Sequence, residues 1–81
     1  MTWKDELDAT GLMCPLPVLK ARKRLQSLHT GEILRVLADD PAAVIDIPHF
    51  CAEQGHGLIS SETDTLPHVF LIQKGQAYSA A

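Results

Sequence analysis

Pro15 and Pro17 constrain the fold of this chain more than any other feature. Proline lacks a backbone N–H and its ring collides with the preceding turn, so a helix accepts it only in the first turn. Behind the pair, Val18, Ala21, Leu25 and Leu28 recur at three- and four-residue spacing, the apolar stripe of an amphipathic helix. A first helix therefore begins at the prolines and ends at Thr30-Gly31. Ahead of it, residues 6–9 read as a short strand closed by Thr10-Gly11. Ile33–Ala38, apolar except for Arg35, reads as a mostly buried strand. Asp40 as N-cap and Pro41 at the first helical position then open a second helix, with Val44, Ile47 and Cys51 on one face. The interior Pro48 predicts a break near Ile47 before the helix resumes to about Gln54, where Gly55 to Gly57 end it. Residues 58–62 and 68–74 read as strands, joined into a hairpin by a turn over 63–67. The small, polar tail after Gly75 reads as frayed.

The order βαβαββ predicts an α+β fold. It is a two-layer α/β sandwich with two helices on one face of a mixed four-stranded sheet. At 81 residues and 8.9 kDa the chain is read as one domain over 1–81, with its core at about 6–75. A composition of 46% hydrophobic and 21% charged residues excludes wholesale disorder. No apolar run approaches the roughly 20 residues of a membrane span. The opening Met-Thr-Trp-Lys-Asp-Glu shows no apolar signal core, so the expected location is the cytoplasm. Seven basic against ten acidic residues give a net charge of −3, which argues against a general nucleic-acid binder. So short a chain leaves little room for a deep pocket, which favours a carrier, adaptor or binding module. No cofactor is expected.

Two cysteines without Cys-x-x-Cys spacing exclude a disulfide scaffold and a thioredoxin-like motif. The four scattered histidines form no metal quartet with them, so no metal site is expected. Cys14 is the informative residue. It stands at or beside the N-cap of the first helix, where free N–H groups and the helix dipole favour an anion. The thiol pKa is therefore expected below the free value of about 8.5, giving a reactive thiolate. The alternative is a cysteine that only fills space, the commoner fate of a lone cysteine; the turn formed by Gly11-Leu12-Met13 favours exposure. Pro15 and Pro17 would hold the sulfur on a rigid first turn, although one proline is enough to start a helix.

Lys20, Arg22, Lys23 and Arg24 place four of the seven basic residues on the first helix. They read either as a solvated face or as a docking face for an acidic partner. Helix capping accounts for Asp40 without catalysis, and partner contact is its other reading. Cys51 lies on an apolar stripe and reads as core. No nucleophile, base and orienting group can be assembled into a hydrolytic triad.

The stretch Asp8-Ala-Thr-Gly11-Leu-Met-Cys14-Pro15-Leu16-Pro17 resembles the signature of the TusA/SirA-like sulfur-carrier family, which has Cys-Pro-x-Pro at the start of its first helix. The likeness continues through Gly31-Glu32, Ala38-Asp39-Asp40-Pro41-Ala42, Asp46-Ile47-Pro48, Phe50-Cys51, Glu62-Thr63-Asp64 and Lys74-Gly75. One departure is Thr10, which stands where the family often has arginine; any partner contact made by that charge is in doubt. The resemblance implies a βαβαββ sandwich in which Cys14 accepts sulfane sulfur as a persulfide and Gly11, Pro15 and Pro17 support it. It also implies a donor, either a cysteine desulfurase or a rhodanese-type protein, and a downstream relay leading to tRNA 2-thiouridine. Lys20, Arg22, Lys23 and Asp40 are the expected partner-binding residues. The carrier would be a monomer when free, would bind neither nucleic acid nor membrane directly, and would not turn over alone. Sulfur oxidation or other sulfur trafficking, a small thiol reductase or peroxidase, and a non-catalytic regulatory or adaptor domain are the competing readings.

Overall fold

The computed structural model describes residues 3–76. Its elements are β1 (Asp5–Asp8), α1 (Leu16–Gln26), β2 (Ile33–Ala38), α2 (Ala43–Gln54), β3 (Gly57–Glu62) and β4 (His68–Gln73). The sheet runs β1-β2-β4-β3, with β1 parallel to β2 and β4 antiparallel to both β2 and β3. A parallel pair needs a crossover, which α1 supplies between β1 and β2. The result is the expected α+β sandwich, with helices packed on one side of a mixed sheet.

Strict alternation makes β2 the centre of the core: Leu34, Val36 and Ala38 are fully buried, while Ile33, Arg35 and Leu37 are half-buried on the other face. Phe70 and Ile72 of β4 complete the sheet's contribution beneath the helices. From α1 come Pro17, Ala21 and Leu25, followed by Leu28 just past the helix end. Lys74 Nζ reaches that end and donates to the carbonyls of Leu25 (2.6 Å) and Leu28 (3.0 Å), closing a terminus that would otherwise leave acceptors unpaired.

Two expectations for α2 fail. The break near Ile47 does not occur, and the helix runs unbroken through Pro48. Proline removes one backbone donor, but Ala43 and Ile47 before it and Phe50 and Cys51 after it are all buried on the same core. Burial on both sides of the proline holds the helix together. Asp40 is also not the N-cap. The helix begins at Ala43, and the amides of Ala43, Val44 and Ile45 donate to the carbonyls of Asp40, Pro41 and Ala42. The strand limits shift by one residue at β1, β3 and β4. The expectation of a frayed tail concerns residues 77–81, outside the described residues. Among those described, no helix is long and apolar enough to cross a membrane.

Candidate functional site

The loop between β1 and α1 is built by local hydrogen bonds and then fixed from a distance. The Asp8 carboxylate accepts from the Thr10 amide (3.0 Å) and the Thr10 hydroxyl (2.6 Å), which hold its pKa below the usual range. Thr10, though exposed, is thus tied to its own loop. Gly11 follows with φ +83, a conformation that L side chains rarely adopt. Its amide donates to Asp39 Oδ1 at 3.0 Å. Three residues on, the Cys14 amide donates to Asp40 Oδ2 at 2.6 Å. Asp40 Oδ1 meanwhile accepts from the Ala42 amide at 3.2 Å. One carboxylate therefore ties the cysteine to the start of α2.

Asp40→Ala should lower unfolding free energy by about 1–2 kcal/mol, and Asp40→Asn by less, because an amide oxygen still accepts one of the two bonds. Urea unfolding of the three proteins checks this. Equal losses would show that both bonds need the carboxylate.

Cys14 is exposed, while Cys51 is buried at 2% exposure. Burial pushes the Cys51 thiol up to about 11, and its reading as core holds. The expectation of a depressed Cys14 pKa does not. The thiol is shifted upward, first by a hydrogen bond to the Asp46 carboxylate, then by partial desolvation and the negative charges of Asp46 and Asp40. Helix-terminus geometry alone pointed the other way. Cys14 precedes the N-cap residue Pro15, and no side chain caps α1. Pro15 is the N-cap and is exposed; Pro17 is the second helical residue and is buried.

Sγ opens onto a groove of about 280 Å³ between the helices, lined by Cys14, Leu19 and Arg22 on one side and Asp46, His49 and Glu53 on the other. The basic residues of α1 divide around it. Arg22 reaches the groove; Lys20 and Lys23 gather with Leu7 and Ser27 on a separate surface, and Arg24 pairs with Asp5 at 3.1 Å. Four large apolar side chains on the segments bearing Cys14 and Asp46 are exposed: Met13, Leu16, Leu19 and Ile45. The sequence assigned no role to them or to Asp46, although Leu16, Leu19 and Ile45 fall off the core stripes of their helices. Among the described residues, no three His, Cys, Asp or Glu side chains gather as metal ligands.

The sequence pattern of the family described as Sulfurtransferase TusA matches residues 5–74. The fold is similar to the crystal structure of a SirA-like protein from Desulfitobacterium hafniense. The TM-score is 0.74 at 24% identity, covering 90% of this chain and 100% of that one. The matched span takes in every element of the sheet and both helices, together with the turn that carries Cys14. The chain belongs to the TusA sulfurtransferase family.

Proposed function

We propose that the chain is a single-domain sulfur carrier that holds sulfane sulfur as a persulfide on Cys14. The observation that carries this reading is the contrast between the cysteines: one thiol is exposed on a turn whose amides are held by Asp39 and Asp40, and the other is buried in the core. Sulfur arrives when the Cys14 thiolate attacks the outer sulfur of a donor persulfide. A sulfur–sulfur bond forms as the donor's breaks, the donor leaves as a thiolate, and no net oxidation occurs. Delivery repeats the displacement with an acceptor thiolate attacking the outer sulfur on Cys14. The donor is a cysteine desulfurase, or a rhodanese-type protein, and the acceptor is a relay protein leading to tRNA 2-thiouridine. The free carrier is a cytoplasmic monomer. Exposed Met13, Leu16, Leu19 and Ile45 support docking of a partner over the thiol, since a cluster of large apolar groups at the surface favours contact.

Incubation with a purified cysteine desulfurase and cysteine, followed by intact mass and peptide mapping, tests the reading. One added sulfur on Cys14, discharged by a thiol acceptor, is the expected result. An unloaded protein, or sulfur on Cys51, overturns it.

The division of the basic residues makes a further prediction. Arg22→Glu should slow loading roughly three- to ten-fold, whereas Lys23→Glu, on the other surface, should stay close to the parent rate. The parent rate should also fall as salt rises. Stopped-time mass measurements give both. Equal effects from the two variants would assign docking to overall charge and not to the groove.

A further inference from the structure

Lys74 and Gly75, just past β4, run between the C-terminal ends of the two helices. The Lys74 ammonium closes α1 at Leu25 and Leu28, and the Lys74 backbone is pinned to the turn before β2. Its amide donates to the Glu32 carbonyl (2.8 Å), and its carbonyl accepts from the Gly31 amide (2.9 Å). Gly75 then presses against the C-cap of α2. A Cβ on Gly75 would overlap the carbonyl oxygen of Gly55, which itself has φ +77, so both positions require glycine. This approach of backbone to backbone brings the Gly75 amide to His56 Nδ1 at 2.9 Å. A ring nitrogen accepts only while it carries no proton, so the bonded imidazole is neutral, with its proton on Nε2. Protonating Nδ1 would set two N–H donors against each other.

The surroundings offer a charged imidazole no compensation. Arg22 of α1 and Lys74 share with His56 a cleft of about 270 Å³ whose lining includes no acidic residue. Glu32 turns its carboxylate to the His29 amide (2.7 Å) and to Lys4 (3.9 Å), and Glu53 of α2 meets His49 at 3.6 Å. On β3 the one charge, Glu62, stands at the far end of the strand. Cys51, whose carbonyl accepts the His56 amide, keeps its thiol proton at neutral pH. Burial, with the Phe50 ring 5.5 Å from the imidazole, and then the Lys74 charge hold the His56 pKa below its ordinary 6.5.

We propose that His56 and Gly75 form a proton-operated clasp: neutral His56 holds Lys74-Gly75 across the ends of both helices, and protonation at Nδ1 releases Gly75. The unfolded chain takes up this proton first as pH falls. The clasp's stabilisation is therefore complete above about pH 6.5 and declines below it. Arg22 and Gln54 line both the cleft and the sulfur groove, so release acts on a wall of that groove as well as on the chain leaving β4. The clasp works whether or not Cys14 carries sulfur.

Hydrogen exchange at the Gly75 amide, followed by NMR and corrected for the intrinsic pH dependence of exchange, tests the clasp in the parent, His56→Asn and His56→Ala. With an imidazole of ordinary pKa in the open state, opening becomes roughly ten-fold easier at pH 5.5 than at pH 7.5. Protection in the parent should fall by about that factor. His56→Asn offers Oδ1 in place of Nδ1 and does not titrate, so its protection should be equal at the two pH values. His56→Ala should leave the amide unprotected at both. The ring nitrogen shifts of the parent should show the Nε2–H tautomer at pH 7.5. Protection in the parent that ignores pH, the same fall in His56→Asn, parent-like protection in His56→Ala, or the Nδ1–H tautomer overturns the proposal. Should either variant fail to fold, exchange and tautomer in the parent decide the matter alone.

Discussion

Cys14→Ser should fold as the parent does and carry no sulfur at all. The side chain is exposed and caps nothing; the structural contribution of this residue is its amide, donated to Asp40, and serine keeps it. Serine cannot form a persulfide, so loading by a desulfurase should drop to background, and onward transfer should vanish with it. Thermal unfolding and intact mass on the same preparation give the two readouts. Residual loading above background would place the carrier sulfur elsewhere. Cys51 is the remaining cysteine, and a relay through both thiols would then replace the single-cysteine mechanism.

The second large effect belongs to Cys51 and appears in stability, not transfer. Burial lifts its thiol from an ordinary 9.0 to about 11. The folded state therefore keeps the proton over a pH range in which the unfolded chain has lost it. The stabilisation is complete below pH 9, declines between 9 and 11, and is gone above. Two pH units correspond to about 2–3 kcal/mol. Cys51→Ala removes this dependence and leaves a small void, costing roughly 1 kcal/mol at neutral pH by extrapolation from larger core truncations. The parent should thus be the more stable protein at pH 7 and the less stable one near pH 11, with the curves crossing between. Urea unfolding of both across that range checks the crossing. Parallel curves would mean that the thiol can ionise without opening the core. Sulfur should load on Cys14 in Cys51→Ala at close to the parent rate.

The parts of the fold legible in the sequence depend on neighbours along the chain. Pro15 and Pro17 announced the start of α1, and the alternation in Ile33–Ala38 gave β2, because both signals act over a few residues. The Pro48 expectation failed where burial of Phe50 and Cys51, a tertiary effect, outweighed one missing backbone donor. The Cys14 turn was legible as the candidate site, but its electrostatics were not. A helix terminus can be read from a proline, whereas the carboxylates that act on the thiol come from α2 and the loop before it, 26 residues away at Asp40. The division of the basic run on α1 was illegible for a related reason. Consecutive helical residues point in different directions, so Arg22 faces the groove while Lys23 does not.

The two hydrogen bonds from Gly11 and Cys14 also bear on protein engineering. Transplanting residues 8–17 to the head of another helix would move the cysteine, both prolines and the Asp8–Thr10 turn. It would leave behind Asp39 and Asp40, the acceptors that hold the transplanted amides. The graft would carry a thiol on a loose turn. A portable version must include the end of β2 and the start of α2, since Asp40 joins the cysteine's amide to the first residues of that helix. The smallest unit that can be moved intact is therefore a β-α-β-α segment, most of the protein, and the sulfur-bearing turn is a property of the sandwich and not of its motif.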